Sequence, residues 1–168
     1  MDVSSFLLEL YGRIPPLAEG AVDGLDPDQL VQPPAPGANT IAWLVWHVAR
    51  VEDHHLAGIT GAPQVWVRGD WPDRFGLAAD PSNTGYGHGS EDVLAVRPKT
   101  GDDLLAYLDA VHRVLRPVIG ALVPDDLDWI VDRRWDPPVT LGVRLASIAD
   151  DSLQHLGQAA YARGLLGA

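Results

Sequence analysis

Asp151 and His155 are the residues of this sequence whose types and spacing point most directly to chemistry. They are four residues apart in a segment whose other inward positions are aliphatic, so both side chains fall on one helix face, one turn apart. A carboxylate and an imidazole placed in this way can bind the same metal ion. They can equally hydrogen-bond each other as a satisfied polar patch, and spacing alone leaves both interpretations open.

A third metal donor would have to come from another helix, and His47 is the candidate. It lies in the apolar segment AWLVWHVA, where burying an imidazole without a partner is costly. Two imidazoles and one carboxylate leave a coordination position open, which is the arrangement of a catalytic site and not of a closed structural one. The donor set favours zinc first, and Ni, Mn and Fe(II) are also compatible with it.

Several further residues are weaker candidates for lining a pocket or supporting the ligands. His54 lies seven residues after His47 on the same helix face, whereas Arg144 and Gln158 flank the ligand pair along the fourth helix. Either flanking residue could grip a substrate carboxylate or orient a ligand, and a role at the helix surface is as compatible with each. The other candidates lie in Gly- and Pro-rich loops that could form a lid or an ordered surface: Tyr86, His88, Trp135 and Asp136.

Amphipathic helices must position these residues, and four segments have the necessary periodicity. Apolar side chains recur at helical spacing over residues 2–22, 41–57, 101–122 and 141–163. Pro15-Pro16 should kink or restart the first segment, Asn39 or Thr40 can cap the second, and Thr140 can cap the fourth. Strand alternation is almost absent. We therefore predict an all-α fold, an up-and-down four-helix bundle with long connecting loops at 61–98 and 124–138.

Length and composition restrict the class of protein. A chain of 168 residues predicts one domain spanning residues 1–168, and 46% hydrophobic with 21% charged residues is a globular composition. The net charge of -11 makes nucleic acid and anionic membranes unfavourable partners. No apolar run approaches the roughly 20 residues that are needed to span a bilayer, and the first residues lack the features of a signal peptide. We therefore expect a cytoplasmic protein. Because cysteine is absent, any thiol chemistry needs a thiol from outside the chain.

Five segments spread over nearly the whole chain carry a family resemblance: NTIAWLVWHVARVEDHHLAGITG, DRFGL, NTGYGHGSEDVLAVR, RWDPPVTLGVRL and DDSLQHLGQAAYARGLL. They resemble the DinB/YfiT-like superfamily, in particular its mycothiol-associated branch of DUF664-type and maleylpyruvate isomerase-like proteins. The resemblance implies a four-helix bundle with a histidine ligand on the second helix, here His47, and a paired motif on the last helix, here Asp151 and His155. Many relatives have His at the first position of the pair and maleylpyruvate isomerase-like members have Glu, whereas this chain has Asp.

The resemblance also implies a function. It predicts a metal-dependent transferase or isomerase that acts on a small electrophile, with a low-molecular-weight thiol such as mycothiol as the nucleophile. Two alternatives stay open at this stage. One is a metal-dependent small-molecule hydrolase that uses bound hydroxide. The other is a non-catalytic stress-response or binding module, as a homodimer, whose metal fastens the second helix to the fourth.

Overall fold

A computed structural model of the protein describes residues 1–167, and most of them are α-helical. The helices are α1 (Val3–Tyr11), α2 (Ile14–Val22), α3 (Pro27–Val31), α4 (Ile41–Thr60), α5 (Trp71–Phe75), α6 (Ser90–Ala95), α7 (Gly101–Gly120) and α8 (Leu141–Leu166). Short 3-10 turns cover Val65–Val67 and Pro124–Asp128, and the strands β1 (Ile130–Asp132) and β2 (Val139–Thr140) pair antiparallel. The predicted all-α bundle is confirmed, with its four long segments formed by α1 with α2, α4, α7 and α8.

The ends of the two site-bearing helices follow from capping residues. The hydroxyl oxygens of Thr40 and Thr140 accept hydrogen bonds from backbone N–H groups in the first turns of α4 and α8. Gly61 ends α4 in the left-handed conformation, with φ of +70°. The helix therefore continues through Gly58 and runs three residues beyond the predicted end at residue 57.

The first amphipathic segment is divided into α1 and α2, as the Pro15-Pro16 pair predicts. The break lies just before the prolines, at Gly12 and Arg13, and α2 begins at Ile14. Both prolines thus occupy the first turn of α2, where a backbone N–H would have no partner within the helix. The restart lets both short helices pack on the same core. The side chain of Tyr11 on α1 is 1% exposed, and that of Ala18 on α2 is completely buried.

The helices α4 and α8 form the central pair of the bundle, and α7 and α2 pack against them. The first half of α4 is buried all round, from Ile41 to Arg50. Large side chains such as Trp46, Leu108 and Leu145 fill the space between the helices. Each fully buried aliphatic or aromatic side chain contributes about 1.5–3 kcal/mol through the hydrophobic effect. This packing fixes the relative position of α4 and α8, which carry the candidate ligands.

The connections contain more regular structure than the sequence pattern indicates. Residues 24–30 lie outside the four predicted amphipathic segments, yet they include most of α3, which Asp26 caps through a reciprocal pair of hydrogen bonds with Gln29. The 61–98 loop contains a 3-10 turn, α5 and α6, and the 124–138 connection contains a 3-10 turn and β1. Helices of five or six residues are too short to show a period. Among the described residues, no helix combines the length and apolarity needed to cross a membrane.

Candidate metal centre

Three potential metal donors converge between α4 and α8. One ligand atom from each of His47, Asp151 and His155 can be chosen so that all three lie within 4.8 Å of one another. The distance from His47 Nε2 to Asp151 Oδ2 is 3.8 Å, and that from His155 Nε2 to Asp151 Oδ1 is 3.5 Å. Two donors bound to one tetrahedral zinc ion lie roughly 3.3 Å apart. The two separations from Asp151 are larger than this, so the donors would have to draw together around one ion.

The orientation of His47 is fixed by its surroundings. Its Nδ1 lies at hydrogen-bonding distance from the backbone carbonyl oxygen of Thr84. Because a carbonyl can only accept, Nδ1 carries the proton, and in a neutral ring the lone pair is then on Nε2, facing Asp151. Trp43 stacks on the ring, with centroids 4.6 Å apart and planes within 8°. Burial lowers the pKa of His47, which favours the neutral form that binds metals.

His155 is oriented in the same way, by a residue of its own helix. Its Nδ1 is 2.8 Å from the side-chain oxygen of Gln158, one turn later on α8. Donation from Nδ1 leaves Nε2 to face Asp151. The hydrogen bond between His155 and Asp151 raises the pKa of His155. A proton on Nε2 is therefore one way to satisfy this pair, and a metal ion is the other.

Asp151 provides the observation that separates a metal site from a polar patch. About a third of its side chain is exposed, yet Oδ2 is buried and has no hydrogen-bond partner. Nε2 of His47 lies 3.8 Å from this oxygen and carries no proton in the tautomer set by Thr84. Two acceptors that face each other in a buried site are unfavourable without a cation between them.

The charge state of Asp151 is also suited to a metal. Burial alone would raise its pKa, but the hydrogen bond from His155 and the positive charges that both imidazoles carry in the acidic range where a carboxyl group titrates outweigh burial and lower it. The carboxylate is thus ionised at neutral pH. The residues present therefore fit a divalent cation held by two imidazoles and one carboxylate.

Two of the three donors, His47 and Asp151, line an open cavity of about 320 Å³. Its walls come from α4, α8 and the loop before α6, and the lining residues are His47, Val51, His54, His55, Thr84, Tyr86, Ser147, Ile148 and Asp151. This volume is large enough for a small molecule. A metal held by the three residues would be accessible to a ligand in this cavity.

Gly85 brings the loop before α6 into contact with His47. It has φ of +93°, and a Cβ atom built there would lie 2.7 Å from His47 Nδ1 and 3.1 Å from the rings of Trp43 and Trp46. Only glycine fits this approach. The amide side chain of Asn83 supports the same turn by accepting from the backbone N–H of Gly85.

A buried arginine anchors this loop to the bundle. Arg50, on α4, is completely buried, and its guanidinium donates to the carbonyl oxygens of Pro81 and Asn83 at 3.1 and 2.9 Å. It also donates to the side chain of Gln64 at 2.8 Å and lies over the ring of Trp66. Arg50 thus ties the segment that carries Thr84 and Gly85 to the helix that carries His47.

The sequence profile of the DinB superfamily matches residues 12–159. The chain belongs to the DinB superfamily. The match includes both helices that carry the candidate ligands. The DinB chain is also similar to the crystal structure of the conserved protein of locus from Enterococcus faecalis, with 28% sequence identity, a TM-score of 0.89, and coverage of 99% of this chain and 98% of that one. No curated protein matches this sequence.

The structure places the other candidate residues of this DinB chain differently. His54 lines the cavity, and so does the largely exposed Tyr86. Gln158 accepts a hydrogen bond from His155, which agrees with the interpretation that it orients a ligand. Arg144 instead lines a second cavity next to the first. The loop residue His88 lies behind the site, where it accepts a hydrogen bond from Trp43 Nε1.

Trp135 and Asp136 do not line either cavity, and Trp135 is 65% exposed. Both residues are exposed in the turn between β1 and β2, so the structure gives no support to the suggestion that they form a lid. The surface interpretation, which the sequence left open for both residues, agrees better with their position.

Sequence reasoning missed several residues that shape this site. His55 follows His54 and also lines the cavity, as expected for two adjacent positions on a helix face about 100° wide. Thr84 and Gly85 were not singled out, because a backbone carbonyl and a missing side chain leave no signal in a single sequence. Arg50 had one detectable signal, since an arginine inside an apolar helical stripe must find partners when it is buried.

Proposed function

We propose that this DinB-superfamily chain is a metal-dependent enzyme that uses a low-molecular-weight thiol, such as mycothiol, as a nucleophile toward a small electrophile. The metal would be held by His47, Asp151 and His155, with zinc as the first choice and Ni, Mn or Fe as alternatives. The observation that carries the proposal is the buried Asp151 Oδ2, which has no hydrogen-bond partner and faces the unprotonated nitrogen of His47 beside an open cavity.

A bound metal would supply Lewis acidity, which lowers the pKa of a thiol so that thiolate forms at neutral pH. The chain supplies the rest of the site. Thr84 and Gln158 hold the two histidines with Nε2 inward, and Trp43 restrains the His47 ring. The cavity would give the thiol and the electrophile access to the site, and its open side would give the released proton access to water.

The proposed reaction can be an S-transfer or an isomerisation. In S-transfer, the thiol loses its proton to water, the sulfur lone pair forms a carbon–sulfur bond, and the leaving group departs with the electron pair of the broken bond. In isomerisation, the thiolate adds to a conjugated double bond, the resulting single bond rotates, and elimination regenerates the thiolate and the double bond. The absence of cysteine from the chain means that this sulfur must come from a separate molecule.

Titration of metal-loaded protein with mycothiol tests the proposal, by calorimetry and by turnover of a panel of electrophiles. We expect saturable binding and a thiol-dependent rate that Asp151→Asn abolishes. Asp150→Asn is the matched control, because Asp150 is exposed and bonds only to Gln154 on the outer face of α8. Absence of both binding and a thiol-dependent rate would remove the thiol function.

The same experiment distinguishes the two alternatives. Turnover of esters or amides without added thiol would identify a metal-dependent hydrolase. No turnover at all, combined with a large loss of thermal stability in chelator, would identify a non-catalytic module in which the metal ties α4 to α8. Measurement of the molar mass in solution then tests whether the chain forms the homodimer that we expect.

A further inference from the structure

A second cavity, of about 220 Å³, adjoins the cavity at the metal centre. Both cavities are lined by His54 and His55, so they lie side by side along these two residues. The rest of the second cavity is formed by the end of α4, by β1 with the residues after it, and by the first turn of α8. Its lining residues beyond the shared pair are Gly58, Ile59, Val131, Asp132, Arg133, Arg134 and Arg144.

This second cavity is cationic in a chain that is otherwise acidic. Three of the 12 Lys and Arg residues of the sequence line it, although the net charge of the chain is -11. Asp132 is the one carboxylate among the lining residues, and it is already paired with Arg134 at 2.8 Å and with Arg144 at 3.1 Å. The lining therefore keeps an excess of positive charge.

Arg144 is held so that it faces this cavity. Its Nη2 donates to Asp132, and its Nη1 lies 3.4 Å from Nε2 of His55, on the shared wall. Only 17% of the side chain is exposed. A guanidinium has five N–H donors in a planar array that matches a carboxylate, sulfonate or phosphate. The contacts with Asp132 and His55 use two of these N–H donors, and the remaining donors are available to such an anionic group.

Helix geometry gives the distance between the two cavities. Arg144 precedes Asp151 by seven residues on α8, which corresponds to roughly 10 Å along the axis at 1.5 Å per residue. A molecule that spans both cavities thus carries its two recognised groups about 10 Å apart.

We propose that the second cavity is an anion subsite, and that the thiol or its electrophilic partner is an elongated molecule with an acidic group about 10 Å from the end that reaches the metal centre. The inference rests on the proposed function for the identity of the reactive end. The acidic end is recognised by Arg144 and Arg133, whether the group is a carboxylate, a sulfonate or a phosphate.

Two probes of equal length test this subsite, ω-mercaptooctanoic acid and ω-mercaptooctanol, titrated into zinc-loaded protein. We expect the acid to bind about tenfold more tightly than the alcohol, as a charge-assisted hydrogen bond allows. Arg144→Gln should reduce the affinity for the acid to that for the alcohol and leave the alcohol unaffected. Arg116→Gln, the same change at an exposed position on α7, should alter neither. Measurable binding of both probes to the unmodified protein with equal affinity would overturn the proposal.

A second measurement separates this proposal from the thiol function. If neither thiol binds, the thiol function fails, and octanesulfonate and octanol then serve as probes without a thiol. The ring resonances of His54 and His55 report binding by NMR. A saturable shift with octanesulfonate and none with octanol, lost in Arg144→Gln, supports the subsite. No shift with octanesulfonate overturns it. If Arg144→Gln does not fold, Arg133→Gln replaces it, because Arg133 is exposed, and unchanged sulfonate binding in that variant also overturns the proposal.

Discussion

His47 donates its Nδ1 proton to the carbonyl oxygen of Thr84, so a loop residue determines which nitrogen of the ring faces Asp151. The contact joins α4 to the segment before α6, and that segment is in turn held by Arg50. The candidate ligands lie on two helices, but the chemical state of one of them depends on a third part of the chain. Metal affinity should therefore respond to substitutions outside the helices.

Gly85→Ala should weaken metal binding by about tenfold or more, the range found when the support of a ligand is lost. The added Cβ would lie 2.7 Å from His47 Nδ1, so the ring or the loop must move. Gly87→Ala is the matched control, because Gly87 also has a positive φ, of +77°, but nothing lies within 4 Å of its Cβ position. Competition of each variant with a chromogenic chelator measures the affinity. If both variants lose the same metal affinity, the cause is backbone strain and not the contact with His47.

Gln158→Ala should also lower metal affinity, by roughly tenfold, because His155 loses the acceptor of its Nδ1–H. The control is Gln154→Ala, which removes the same side chain one turn earlier, where it bonds to Asp150 on the outer face. The chelator competition applies here too. If Gln158→Ala binds metal as tightly as the control, the orientation of His155 does not depend on this hydrogen bond.

The bundle, and the convergence of the three candidate donors, could be predicted from the sequence because both follow from helical periodicity. Asp151 and His155 interrupt an aliphatic stripe at i and i+4, and His47 interrupts another, so the pattern itself marks them. The loop contacts could not be predicted. Thr84 acts through its backbone carbonyl and Gly85 through the lack of a side chain, and the path that brings them to His47 depends on Arg50. Such contacts are set by tertiary packing over more than 30 residues of chain, and they have no local period.

Arg50→Met should destabilise the protein by about 3–5 kcal/mol. The substitution keeps an unbranched stem but removes the guanidinium, so the buried carboxylate of Asp53 loses its cationic partner, which lies 3.4 Å away. It also leaves the carbonyl groups of Pro81 and Asn83 without their donor. Urea denaturation of chelator-treated protein measures the effect without a contribution from bound metal. The exposed Arg116→Met should change stability by less than about 0.5 kcal/mol. A similar result for both variants would show that the buried network contributes little.

His55 should make the metal-free protein less stable in acid. Burial, together with the nearby charge of Arg144, lowers the pKa of His55 to about 4 from an unfolded value of 6.5. Between these values the unfolded chain binds a proton that the folded chain does not, so stability falls as the pH decreases from 6.5 to about 4 and this contribution is constant below. The loss should be roughly 2–3 kcal/mol.

His55→Gln is the test of that assignment, because it removes the titrating ring and keeps a polar side chain. Denaturation curves recorded from pH 7 to pH 4 should show a shallower decline in the free energy of unfolding for the variant than for the unmodified protein. Parallel declines would assign the acid sensitivity to other groups.

Elemental analysis of protein purified without chelator and without a polyhistidine tag tests the central claim most directly. The account predicts about one equivalent of a divalent metal per chain, lost in each of His47→Ala, Asp151→Ala and His155→Ala and retained in the neighbouring control Asp150→Ala. Circular dichroism confirms in parallel that each variant is folded. Stoichiometric metal in any one of the three ligand variants, or none in the folded unmodified protein after incubation with zinc, would contradict it.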